Sequence, residues 1–215
     1  MDRESGIQNR TLRAERRVRL LVLAWLVTAS AGMIVLTAYG AAPGGAAIAP
    51  RVWPAQSRLL RERSLPELVM LVHPLCPCSR ASIAELARLM ARLQGKIVAD
   101  VLFLAPSTFD DQWQTSDLRA SAAAIPGVRV HDDVDGEEAQ LFGGLTSGQV
   151  ILYDADGRLR FAGGITAARG HEGGNVGADA IIAAVSGGGD AVAASPVFGC
   201  SLVGAERHGG GGRAS

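Results

Sequence analysis

"LVMLVHPLCPCSRASIAEL", residues 68–86, joins a strand pattern to a helix pattern through two cysteines, and that junction decides the fold. "LVMLVH" is a short continuous apolar run, as expected of a strand buried on both faces. Beyond the cysteines, Ile83, Leu86, Leu89, Met90 and Leu93 recur at three- and four-residue steps, which gives one apolar helix face that stops at Gly95. Ser82 and Glu85 have the spacing of a capping box, so the regular helix is expected to start as late as Ser82. Cys76 and Cys78 then lie in the connection, one residue apart.

Downstream, "KIVADVLFLA" reads as a second buried strand, and Thr108 to Ala124 as a helix ended by Pro126. "VRVH" (128–131) is a short strand and Glu137 to Phe142 a short helix. "QVILYDADGRLRFAGGI" is a hairpin, two apolar runs around the tight-turn pair Asp156-Gly157. Gly177 to Val185 is a last helix. The order β-α-β-α-β-α-β-β-α implies a mixed α/β sheet covered by helices on both faces.

Upstream, Leu20 to Tyr39 is twenty residues without a charge, about 30 Å as a helix, which matches a bilayer core. Arg3, Arg10, Arg13, Arg16, Arg17 and Arg19 precede it against three acids, so the N-terminal side is expected in the cytoplasm. The alternatives are a signal peptide cut near Ala38-Tyr39-Gly40, although the apolar stretch exceeds the roughly 7–15 residues of a signal h-region, and a buried helix of a soluble protein. With an anchor or a cleaved signal alike, the cysteines face an oxidising compartment. The expected organisation is a cytoplasmic basic segment (1–19), a transmembrane anchor (20–39), an Ala/Gly/Pro-rich linker (40–65), a domain (66–188) and a flexible tail carrying Cys200 (189–215). The chain has 215 residues and 21 charges of each sign, so no basic surplus argues for nucleic acid.

A cysteine pair between the first buried strand and its helix, in that element order, resembles the thioredoxin fold, in particular the membrane-anchored bacterial thiol–disulfide proteins of the TlpA type. The resemblance covers residues 66–186. "CPCSRASIAEL" is similar to the family's redox segment, with Cys76 matching the nucleophile, Pro77 the proline and Arg80 the residue that follows. "SGQVILYDADGRLRFAGGI" resembles the family's hairpin. "HPLCPCSRAS", "TSGQVILYD" and "RGHEGGN" look most like a narrower group labelled RedB. The second cysteine stands at 78 where the family has it at 79, occupied here by Ser79. Thr146-Ser147-Gly148 stands where the family has its cis-proline, and the resemblance implies that these three residues carry the substrate-docking backbone. A non-proline cis bond costs about 2.5–4 kcal/mol, so none is assumed.

Residues two apart on a helix project about 200° from each other, so a Cys76–Cys78 disulfide requires the helix to begin after Cys78. Such a ring is strained and therefore oxidising. Cys76, at a strand end before a helix N-terminus, is the expected thiolate and nucleophile. Cys78 or Cys200 would resolve its mixed disulfide. The apolar island "SPVFGCSLV" is expected to dock through Val197 and Phe198 and bring Cys200 to the loop. Arg80 is either a solvated helix-start residue or a partner of the thiolate. His73 is a strand-end histidine, a proton shuttle or a metal ligand. His171, in "RGHEGGN", is either in a surface loop or faces the cysteines and tunes them.

The leading expectation is a single-pass protein of the bacterial inner membrane whose periplasmic domain is a thiol–disulfide oxidoreductase without a cofactor. Its partners would be exported protein thiols or a membrane redox partner. A Cu(I)-binding module held by Cys76, Cys78 and His73 is the alternative from another class, because soft thiolates select Cu(I). A peroxiredoxin-like peroxidase is the third, although His73 stands where that family has threonine.

Overall fold

In the computed structural model β1 (Glu67–Val72) is buried at all six positions, as its unbroken apolar run requires. The structure describes residues 2–45, 48–107, 116–187 and 192–202. β1 pairs in parallel with β2 (Val98–Ala105), and β2 in parallel with β3 (Val128–Val134). On its other side β1 pairs antiparallel with β4 (Gln149–Tyr153), which turns through Asp156-Gly157 into antiparallel β5 (Leu159–Gly164). The sheet order is β3-β2-β1-β4-β5-β6, where β6 (Ala193–Ala194) runs parallel to β5. Central β1 therefore delivers Cys76 at the carboxyl end of the parallel strands. This mixed sheet with flanking helices is a thioredoxin-like fold.

One face of the sheet packs on α2 (Ser79–Arg92), α3 (Asp117–Ala123) and α5 (Val176–Val185), with Leu68, Met70, Val72, Leu86, Leu89, Phe103, Phe161 and Ile181 at its centre. The other face is covered more thinly, by α4 (Glu137–Leu141), Phe142 and an N-terminal strap. The helix expected over 108–124 is seen from Asp117; residues 108–115 lie outside the described residues. β3 extends past His131 to Val134 because its ladder with β2 continues to the pair Ala105 and Val134.

Residues 48–64 form the strap, where composition suggested a free linker. Trp53 packs edge-on against Phe142 and Tyr153, with ring centroids 5.0 and 5.3 Å apart, and Ala49 and Leu59 are buried. The polar groups are paired as well. Tyr153 Oη donates to Pro50 O (3.0 Å), while Ser57 Oγ and Arg58 N donate to the Glu138 carboxylate (2.7 and 2.8 Å). A few apolar side chains suffice, because each covers a sheet face that would otherwise be wet.

Residues 192–202 also leave the expected tail and join the domain: β6 extends the sheet, Val197 is buried and Phe198 is half-buried. Separately, α1 (Asp2–Ala41) is a single helix in which Glu15–Ala41 is long and apolar enough to cross a membrane. At about 1.5 Å per residue it has the length for a bilayer core with turns to spare.

A cysteine trio at the end of β1

The chain leaves β1 through a tight turn rather than an open loop. Cys76 N donates to His73 O, and Ser79 N to Cys76 O, each at 3.0 Å. α2 begins at Ser79 with Cys78 as its N-cap residue in right-handed helical conformation (φ −68°, ψ −24°). The capping box expected from Ser82 and Glu85 does not form. Ser82 lies inside the helix and donates its N–H to Cys78 O (3.4 Å). Glu85 is buried and instead accepts from Gly173 N (2.5 Å), from Asn175 Nδ2 (3.5 Å) and from Arg88. A buried carboxylate needs several donors, and the loop before α5 supplies them. "RGHEGGN" is thereby fastened to α2.

Cys76, Cys78 and Cys200 are all free thiols, and the three come together. Cys76 is 2 % exposed; the other two are half-buried. Burial pushes the Cys76 thiol up, but hydrogen bonds from the Cys200 thiol and backbone, the Ser79 hydroxyl and the Cys78 N–H outweigh it. The net effect holds Cys76 below its ordinary value. Cys78 is raised by burial, by the Cys76 charge and by the hydrogen bond it gives to Cys76. Cys200 is pushed up to about 12 by burial, then by its hydrogen bond to Cys76 and by the charges of Cys76 and Cys78. The site thus places one thiol of lowered pKa against two thiols of raised pKa, which favours ionisation of Cys76 before its neighbours.

Thr146-Ser147-Gly148 forms the floor under the trio. Ser147 Oγ accepts from His73 N and shares a hydrogen bond with Ser79 Oγ, both at 2.8 Å. No peptide bond is cis among the described residues. Gly148 takes φ +86°, which a glycine adopts without strain, and its N–H donates to Leu71 O (2.7 Å). The C-terminal segment lies antiparallel on this stretch. Ser147 N donates to Cys200 O (2.8 Å), Leu202 N donates to Leu145 O (2.9 Å), and Thr146 bridges Ser201. Gly199 passes so close that a Cβ there would stand 1.9 Å from Ser147 O.

The remaining candidates divide. Arg80 is exposed and pairs with Asp117 at 2.6 Å, on the rim of a cavity of about 170 Å³ that Pro74, Leu75, Cys76, Pro77 and Leu118 also line. His73 Nδ1 accepts from Leu75 N (3.2 Å), and burial lowers the imidazole's pKa. His171 is exposed, and the residue of its loop that reaches the cysteines is Arg169. Arg169 Nη1 donates to Gly199 O, and its guanidinium lies beside Cys78 and faces Cys200. No motif in the sequence marks Arg169, which a charge inventory of the "RGHEGGN" loop would have flagged. Among the described residues no group of three or more histidine, cysteine or acidic side chains is arranged to hold a metal ion.

No protein-family model matches the chain, and no curated protein matches it. Its fold is similar to that of a hypothetical protein of Sinorhizobium meliloti 1021, with a TM-score of 0.53, 21 % identity, and 75 % of this chain and 93 % of that one covered. Looser likenesses include a secreted Mycobacterium tuberculosis disulfide oxidoreductase (TM-score 0.39, 14 % identity, 57 % and 81 % covered). Another is the copper-bound ScoI of Bradyrhizobium japonicum (TM-score 0.36, 17 % identity, 60 % and 94 % covered).

Proposed function

We propose that the protein is a membrane-tethered thiol–disulfide oxidoreductase of the TlpA type, acting in the periplasm on cysteines of exported proteins. The observation that carries this reading is the Cys76 thiolate site. A thiol held below its ordinary value by four donors lies in contact with two further thiols at the carboxyl end of the sheet. In the reductive direction the Cys76 thiolate attacks one sulfur of a client disulfide, and the client's other sulfur leaves as a thiolate. Cys200, as thiolate, then attacks Cys76 Sγ, which gives a Cys76–Cys200 disulfide and releases the second client thiolate. The oxidative direction is the reverse. Cys200 is the better resolving partner, because Cys78 already has helical backbone two residues from Cys76, where a disulfide ring is strained. Exposed Leu75 and the cavity beside it offer the client an apolar foothold.

The test uses the full-length chain in detergent. Cys76→Ser should abolish exchange with a peptide disulfide, and mild oxidation of the parent should yield a Cys76–Cys200 peptide on digestion without reduction. Exchange surviving in Cys76→Ser overturns the reading. Tight stoichiometric Cu(I) binding with negligible exchange would replace it with copper binding through the thiols.

A further inference from the structure

The reduced site poses a chemical problem for the second exchange. A resolving thiol has to ionise, yet Cys78 and Cys200 are both raised in the resting protein. Burial, the Cys76 charge and the hydrogen bond to Cys76 are responsible. The last two vanish when Cys76 Sγ enters a disulfide and loses its charge. What then faces Cys200 is burial on one side and Arg169 on the other. Arg80, on the rim of the cavity beside Cys76, is already paired with Asp117.

We propose that Arg169 is the positioning residue of the second step: it holds the Gly199–Cys200 segment on the site and supplies the positive charge against which the Cys200 thiolate forms. The geometry rests on two contacts. Arg169 Nη1 donates to Gly199 O, one residue from Cys200, so the guanidinium anchors the backbone that carries the thiol. The same guanidinium lies beside Cys78 and faces Cys200, where a cation favours the thiolate. The sequence of events follows from charge alone. While the negative charge sits on Cys76, Arg169 faces two neutral thiols, Cys78 and Cys200. After the first exchange the negative charge has left with the client thiolate, and Arg169 favours formation of the next one on Cys200. Its proton goes to solvent, and its electron pair forms the new bond to Cys76 Sγ. This inference rests on the oxidoreductase reading.

The experiment uses full-length protein in detergent in a Cys78→Ser background, so that Cys200 is the resolving thiol, with one equivalent of dithiobis(nitrobenzoate). The first nitrothiobenzoate is released by Cys76 and the second by Cys200, in two resolved phases. Arg169→Gln should slow the second phase about tenfold more than the first at neutral pH, and move its pH midpoint up by about one unit. Arg169→Lys, which keeps the charge without the planar fork, should restore the midpoint. A second phase with an unchanged midpoint in Arg169→Gln, even if uniformly slower, overturns the inference, because anchoring alone would act equally at every pH. A parent that releases no first equivalent through Cys76 overturns instead the reading beneath it.

Discussion

The backbone N–H of Ser147 donates to the carbonyl of Cys200 at 2.8 Å, so the floor of the cysteine site and the C-terminal segment are joined main chain to main chain. That bond, with Leu202 N to Leu145 O, keeps Cys200 over Cys76 and keeps Cys76 buried. If Cys76 exchanges with a client disulfide as proposed, the client sulfur would have to reach the place that Cys200 fills, and this segment would have to lift first.

Gly199→Val tests the lift. A Cβ at 199 meets Ser147 O at 1.9 Å, and both contact atoms are main chain or close to it, so the segment has to move off. Alkylation of Cys76, measured by mass spectrometry at one fixed pH above the Cys76 midpoint, should accelerate about tenfold, which is about 1.4 kcal/mol of lost closure. An unchanged rate would mean that the segment does not guard Cys76.

Cys76 should titrate below its ordinary value of 9.0, because its thiolate collects donors that the thiol form does not need. The Cys200 thiol is the first of these. In Cys200→Ala the alkylation midpoint of Cys76 should therefore rise, with reactivity at neutral pH falling. A midpoint that stays put or drops would show that burial, not the Cys200 donor, governs the site.

The strap should contribute to stability. Leu59 is 9 % exposed beneath the sheet face, and Leu59→Ala should cost about 2 kcal/mol, at the low end for a buried leucine because some surface remains wet. Thermal melting of the full chain in detergent reads this as a lowered Tm. A free linker would give no change.

Far from the cysteines, Glu67 and Asp100 lie buried with Arg129 and His131 on the first three strands. Burial and the hydrogen bond with Asp100 raise Glu67 from 4.5 to about 8. The folded chain thus holds a proton that the unfolded chain releases above pH 4.5. The stabilisation is complete below that value and is lost as pH rises through about 8. Glu67→Gln mimics the protonated form, so its Tm should decline less than the parent's from mildly acid to mildly alkaline pH. A parallel decline in both would place the titration elsewhere.

The arginine excess before Leu20 predicts a chain oriented with its N-terminus inside. Alkaline phosphatase fused after Ser215 should be active, since it folds in the periplasm. A cytoplasmic reporter active at that position instead would remove the oxidising compartment from the argument.

The amino-acid sequence by itself determined the elements whose signal is local. The apolar run of β1, the three–four spacing of α2, the Asp156-Gly157 hairpin and the uncharged stretch of α1 are each written in neighbouring residues, and they lead to the thioredoxin-like order. Periodicity also placed Cys76 and Cys78 at a strand–helix junction. α2 begins at Ser79, after Cys78 but before Ser82: Ser82 and Glu85 have the spacing of a cap, whereas the pull on Glu85 comes from Gly173 and Asn175 across the fold. The strap has the composition of a linker, because Trp53 and Leu59 are sparse in an Ala/Gly/Pro-rich stretch; what fixes them is the uncovered sheet face, which no local pattern reports. That Arg169 is the guanidinium beside Cys78 belongs to the tertiary structure for the same reason. A charge acts through distance in space, and chain spacing does not encode which guanidinium the folded loops turn toward the sulfurs.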